Sequence, residues 1–120
     1  MMQNTRVIYY TSTNDENPVN DFLDSLNEVQ QRKFSRIIQA IVDYGLIAII
    51  PHVKKLTNVP LWEIRILGKN SIRIFYATPY QNTVLLLHGF RKKTQKTPSK
   101  EITTALHRLY DWQKAGGKTE

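Results

Sequence analysis

Residues 61–90 read LWEIRILGKNSIRIFYATPYQNTVLLLHGF, and this stretch decides the fold. It contains three runs rich in β-branched, aromatic and aliphatic residues: Leu61–Leu67 (LWEIRIL), Ser71–Thr78 (SIRIFYAT) and Thr83–Phe90 (TVLLLHGF). Between them stand two sets of turn formers, Gly68–Lys69–Asn70 and Pro79–Tyr80–Gln81–Asn82. Runs of this length punctuated in this way predict a meander of three antiparallel strands. Successive side chains on a strand point to opposite faces. Trp62, Ile64 and Ile66 therefore share one face with Ile72, Ile74 and Tyr76 of the next strand. Glu63 and Arg65 belong with Arg73, Phe75 and Ala77 on the other. The first set suits a core beneath helices, and the second leaves Glu63, Arg65 and Arg73 on an open face.

Upstream, Arg6–Thr11 (RVIYYT) reads as a strand. Asn17–Pro18 is a helix cap followed by proline at the first helical position. Val19, Phe22, Leu23 and Leu26 recur at helical spacing, as do Phe34, Ile37, Ile38 and Ile41 in a second helix that starts near Asn27 or Glu28 and ends at Gly45. Leu46–Pro51 is apolar, but Pro51 makes it a poor helix interior, and Asn58–Val59–Pro60 is a turn. Downstream, a last helix begins near Thr97–Pro98 and buries Ile102, Ala105, Leu106 and Leu109. The expected order is β-α-α-β-β-β-α: an α+β fold, a small twisted and mostly antiparallel sheet covered on one face by helices. With 120 residues, no linker and no repeat, residues 1–120 are expected to form a single domain.

Charge is distributed unevenly. Residues 46–100 hold ten basic side chains and one acid, Glu63, whereas residues 1–45 are net −2 and residues 101–120 neutral. The densest part, HGFRKKTQKTPSK at 88–100, carries Arg91, Lys92, Lys93, Lys96 and Lys100 with no acid among them. Such a patch is the electrostatic footprint of a phosphate-backbone binder. Arg65 and Arg73 begin a positive surface on the sheet that the basic turn extends. A salt bridge to Glu63 is the bland alternative for the two arginines, yet one carboxylate cannot neutralise both and the lysines too. Phe75 on the same face is either a stacking platform or part of a wider core.

Several classes of function are disfavoured. The chain has no cysteine, which excludes disulfides and thiolate metal sites and fits a reducing cytoplasm. No apolar run approaches the about 20 residues that span a bilayer, and the N-terminus has no signal-peptide core. The expected location is cytoplasmic, without a membrane. His52, His88 and His107 are scattered, and no HExxH, glycine-rich phosphate loop or GxSxG occurs. A two-metal nuclease needs clustered carboxylates, and the basic region supplies one. No metal or cofactor is expected. Cleavage of RNA remains open without metal, because the 2′-hydroxyl can attack its own phosphate. That reaction needs a base for the 2′ proton, cations for the phosphorane-like transition state and an acid for the departing 5′ oxygen. Arg65 and Arg73 have forked donors for the electrostatic task. A lysine crowded by other cations gives up its proton more readily, which suits Lys92 or Lys93 to the acid–base task. DNA lacks the attacking hydroxyl.

The phrase KKLTNVPLWEIRI…SIRIFYA…VLLLHGFRKKTQKTPSKEI, with the element order and length, resembles the RelE/HigB superfamily of type II toxin–antitoxin toxins, in particular its HigB-like, phage-derived branch. The resemblance runs from the first strand to the last helix. It implies a ribosome-dependent mRNA endoribonuclease that halts translation and is held inactive by a helix-turn-helix, HigA-like antitoxin. It also implies the ribosome and mRNA as partners. On this likeness Arg73 matches the principal cation before the aliphatic–aromatic pair, and Arg65 a strand position that is often basic. Arg91, Lys92 and Lys93 match the basic turn, and Lys54 and Lys55 the basic residues ahead of the sheet. Lys96, Phe90 and His88 join Lys54, Lys55 and Arg91 as candidate RNA contacts, with Arg65, Arg73, Lys92 and Lys93 as catalytic candidates. His107 and Tyr110 on the last helix have no assigned match. The alternatives are a non-catalytic nucleic-acid-binding phage accessory protein and a gyrase-inhibiting toxin on the same fold.

Overall fold

The computed structural model describes residues 5–66 and 71–117. The expected turn at Gly68–Lys69–Asn70 lies outside the described residues. The elements run β1 (Arg6–Tyr9), α1 (Pro18–Asp24), α2 (Glu28–Tyr44), a 3₁₀ helix (Leu46–His52), β2 (Val53–Lys55), β3 (Trp62–Ile66), β4 (Ile72–Ala77), β5 (Thr83–Arg91) and α3 (Ser99–Lys114). They build a five-stranded sheet in the order β1-β5-β4-β3-β2. β5 to β2 form an antiparallel meander, and β1 adds to β5 in parallel. The α+β class and the order of expected elements hold, and the topology is compatible with a RelE-like fold.

Local chemistry explains the helix ends. Asn17 accepts the backbone N–H of Asn20, and Pro18 follows it at the first helical position. Asn27 and Gln30 form a reciprocal capping box that starts α2. Gly45 ends α2 at φ +82°, in the left-handed region where glycine alone is unstrained. The apolar run Leu46–Pro51 becomes a tight 3₁₀ turn, since Pro51 lacks the N–H that an α-helix would need.

The sheet has two cores. α1, α2 and the 3₁₀ helix cover one face, where Val19, Leu23, Phe34, Ile41 and Ile49 meet Ile64, Ile66, Ile72, Ile74 and Tyr76. The period-two sorting of faces in β3 and β4 is thereby borne out, but the open face expected for Glu63, Arg65 and Arg73 is not: Glu63 and Arg73 are buried and Arg65 is partly exposed. A second detail differs from expectation: helices cover both faces. α3 lies on the opposite side, where Ala105, Leu109 and Trp112 pack on Ile8, Phe75, Ala77, Leu85 and Leu87. The reason is that every residue of β4 is buried. A central strand apolar on both faces needs cover on both. Phe75 is accordingly core and not a stacking platform.

A β-bulge sets the faces of β5. Phe75 pairs with His88 and Tyr76 with Leu86, so Leu87 has no partner across the strand. Leu87 and His88 both turn toward α3, and Gly89 then backs onto α1. A Cβ on Gly89 would lie 2.4 Å from Cδ2 of Phe22. Gly89→Ala is therefore expected to cost about 1–3 kcal/mol through overpacking. Urea unfolding checks this: the midpoint should fall at unchanged slope, and truncating Phe22 in the same chain should recover part of the loss.

Candidate functional site

The face shared with α3 carries a row of cross-strand neighbours over four strands. Lys54 pairs with Glu63, Glu63 with Phe75, and Phe75 with His88. The adjacent row sets Arg65 directly opposite Arg73, and Arg73 opposite Phe90. Residues opposed in an antiparallel pair project to the same face. Lys54, Glu63, Arg65 and Arg73 thus converge beyond the edge of α3.

Glu63 is the hub. Its side chain is 1 % exposed, and Oε1 lies 3.4 Å from Nε of Arg65 and 3.5 Å from Nε of Arg73. The first contact is a hydrogen bond. The second is an ion pair without hydrogen-bond alignment, which leaves Arg73 Nε buried with no hydrogen-bond partner among the described residues. Nη1 of Arg73 donates to the carbonyl of Ile72 at 3.2 Å. Arg73 is 8 % exposed, whereas the Arg65 side chain is 39 % exposed. Burial makes the Arg73 guanidinium easier to deprotonate than usual, the Glu63 carboxylate opposes this, and neighbouring Arg65 adds to it. With Lys54 across the strand, three cations face one carboxylate.

The basic segment is tied to the sheet and to this cluster. The Lys92 N–H bonds the Ser71 carbonyl at 2.8 Å, carrying the chain one residue past β5. Five residues later the Thr97 hydroxyl donates to Oε2 of Glu63 at 3.3 Å. Thr97 is not the helix cap that the sequence suggests. Pro98 occupies the cap position without a side-chain bond, because the Thr97 hydroxyl is spent on Glu63. Lys92 is half-buried, and Lys93 and Lys96 are exposed on this crossing segment.

Other candidates lie apart. Arg91 points to the α1 side: Nη2 donates to the Ser25 carbonyl at 3.3 Å, and the guanidinium sits 5.5 Å from the Phe22 ring centre. Lys55 also faces away, with its ammonium on the carbonyls of Leu56 and Val59 and 5.9 Å from the Trp62 ring. Phe90, expected to touch RNA, is 5 % exposed and packs edge-on against Phe75 at 5.1 Å. The bulge carried it into the α3 core. His88 follows the same path and clamps α3 to the sheet. Its Nδ1 lies 3.0 Å from Nη1 of Arg108, and its Nε2 lies 2.7 Å from Oε1 of Glu101. A guanidinium only donates, so Nδ1 must accept and the proton sits on Nε2, donated to Glu101. Thr97 as the tether of Glu63 was missed; a threonine before a proline reads first as a helix cap.

Two hollows of about 450–470 Å³ lie beside β1 and beside the turn at Thr78–Thr83, and no cation lines either. The cationic cluster reaches solvent through Lys54 and Arg65, while Arg73 and Glu63 lie buried behind them. Among the described residues, no group of histidines and carboxylates could hold a metal ion, and no helix is long and apolar enough to cross a membrane.

The family model for Phage derived protein Gp49-like (DUF891) matches residues 21–110. The chain belongs to that family. The match takes in the end of α1, all of α2, strands β2 to β5, the basic segment and most of α3, so the whole cationic cluster falls within it. Gp49-like proteins are associated with the toxins of toxin–antitoxin systems, and membership implies an antitoxin partner. No curated protein matches the chain.

The His88 clamp predicts a pH effect. Burial, the largest influence, lowers the imidazole pKa from 6.5; the hydrogen bond to Glu101 opposes it and the Arg108 charge adds to it. The unfolded chain then binds more protons than the native one on acidification. Stability is full above the unfolded value near 6.5 and is lost as pH falls through the lower folded value. Urea midpoints between pH 7 and pH 5 should fall more for the Gp49-like wild type than for His88→Gln. Equal slopes would refute the neutral, Nε2-protonated assignment.

Proposed function

We propose that this Gp49-like protein is a toxin of the RelE/HigB type: a ribosome-dependent mRNA endonuclease acting by metal-independent attack of the 2′-hydroxyl. The observation that carries this reading is the Arg65–Arg73 pair, opposed across β3 and β4 with a single carboxylate between them. Two guanidinium forks over one acid leave net positive charge for a phosphodiester. The 2′ oxygen forms the new bond to phosphorus, and the bond to the 5′ oxygen breaks, leaving a 2′,3′-cyclic phosphate and a 5′-hydroxyl. Arg65 and Arg73 neutralise the charge gathered on the phosphorane oxygens. Lys92 and Lys93, on the segment tethered by Thr97, are the groups suited to take the 2′ proton and to supply one to the leaving 5′ oxygen. Lys54 and Lys96 contact flanking phosphates.

An antitoxin, helix-turn-helix and HigA-like on this reading, would restrain the toxin. A second reading is favoured by the burial of Arg73: a binder of nucleic acid without catalysis. A gyrase poison on the same fold is the third.

Arg73→Ala is expected to abolish growth arrest on induction while far-UV and near-UV spectra stay native. Loss of a transition-state donor lowers the rate by about 10²–10³-fold. Mapping of transcript 5′ ends separates the three readings. Cuts in frame within translated codons support the nuclease, intact messages the binder, and double-strand DNA breaks the gyrase poison. A fully toxic Arg73→Ala variant would refute the catalytic role of that residue.

A further inference from the structure

Glu63 is anomalous as a mere counterion. It is almost wholly buried, yet its carboxylate is shared among side chains from three parts of the chain. Oε1 reaches Nε of Arg65 on its own strand and Nε of Arg73 on the next, and Oε2 accepts from Thr97 on the basic segment. Lys54 stands across the strand from it. In both arginine contacts the Glu63 oxygen meets Nε, so neither fork is gripped by Glu63 at its outer end. Like charges directly opposed across two strands repel, and without the carboxylate Arg65 and Arg73 would splay apart.

We propose that Glu63 is a positioning residue: it holds Arg65 and Arg73 side by side by their Nε edges and moors the basic segment through Thr97, so that the Arg65 fork and the end of the Arg73 fork not spent on the Ile72 carbonyl face one phosphodiester. This role rests on the nuclease reading of the same surface. Glu63 itself does not touch the RNA, since a carboxylate repels the phosphate. It acts by geometry, and a carboxylate withdrawn by one methylene would no longer span the two arginines and the Thr97 hydroxyl.

Geometry and charge balance make opposite predictions for Glu63→Asp, which keeps the charge and shortens the reach. If position matters, Glu63→Asp lowers the cleavage rate on mRNA-programmed ribosomes by about tenfold or more. In the same variant, affinity for a 2′-deoxy oligonucleotide, which binds but cannot react, stays within about twofold of wild type, because total charge sets that affinity. Wild-type turnover in Glu63→Asp would overturn the proposal. Glu63→Gln removes a negative charge: tighter oligonucleotide binding with slower cleavage supports positioning, and gain in both refutes it.

Nitrogen-15 spectra of the arginine side chains test the arrangement without turnover. In the wild-type protein the Nε–H signals of Arg65 and Arg73 should stand apart from those of exposed arginines and exchange slowly with water, and Glu63→Asp should move both. Signals at exposed-arginine positions in the wild type would overturn the proposal, even if neither variant folds. Should the wild-type protein cleave no message, the nuclease reading fails while the spectra still decide whether Glu63 holds the pair.

Discussion

Two guanidinium groups face each other across neighbouring strands, and only one buried carboxylate stands between them. That opposition governs the architecture around it. Arg65 and Arg73 cannot both sit on the α3 face of β3 and β4 without an anion, and Glu63 supplies it from the position two residues before Arg65. Removing one partner of a buried ion pair typically costs about 3–5 kcal/mol, so the cluster constrains the fold as well as the chemistry. The carboxylate in turn needs its second oxygen satisfied, and Thr97 does this from across the sheet. The path of residues 92–97 from the end of β5 to the start of α3 is thereby tied down.

The second organising device is one extra residue in β5. Without the bulge at Leu87, strict alternation from Leu85 would send Leu87, Gly89 and Arg91 to the α3 face, and His88 and Phe90 to the other. With it, His88 and Phe90 join the α3 core while Gly89 admits Phe22 and Arg91 turns to the carbonyl of Ser25. The run of basic residues after β5 is therefore not one surface. Arg91 braces α1 against the sheet, and the lysines beyond it ride on the segment that Thr97 anchors. A slip of one residue separates charges that are adjacent in the chain.

Much of this is legible in the sequence, and the physical reasons differ by element. β3 and β4 alternate cleanly, so the convergence of Arg65 and Arg73 on one face follows from period two alone. The caps of α1 and α2 carry the residues that their geometry requires, Asn17 with Pro18 and Asn27 with Gln30. The side chosen by α3 was not legible: its stripe of Ala105 and Leu109 fits either face of a sheet whose central strand is apolar on both. A stronger signal lay in Phe75, Ala77, Leu85 and Leu87, which share a face that open solvent would penalise. β2 has three residues, two of them lysines, and too little pattern to register. The bulge left no mark, since Leu85, Leu86 and Leu87 are interchangeable to any rule of alternation. That one silent feature brings Phe90 and His88 to the face of Arg73, where packing on Phe75 and the bonds to Glu101 and Arg108 take them up.

The shape of the cationic surface bears on how such a site could cleave anything. In-line attack requires the 2′ oxygen, phosphorus and 5′ oxygen to be nearly collinear, and holding reactants in such geometry is worth many orders of magnitude. Lys54 and Arg65, backed by the buried Arg73, can attract a phosphate and offset its charge, but Phe75 and Phe90 are sealed in the core and offer no ring on which a base could stack. Phosphate contacts alone position a strand without fixing the rotation of a single nucleotide. On the proposed function, the missing orientation has to come from whatever already holds the message. A decoding site that splays and clamps each codon would provide it, leaving this small protein to supply cations and proton carriers.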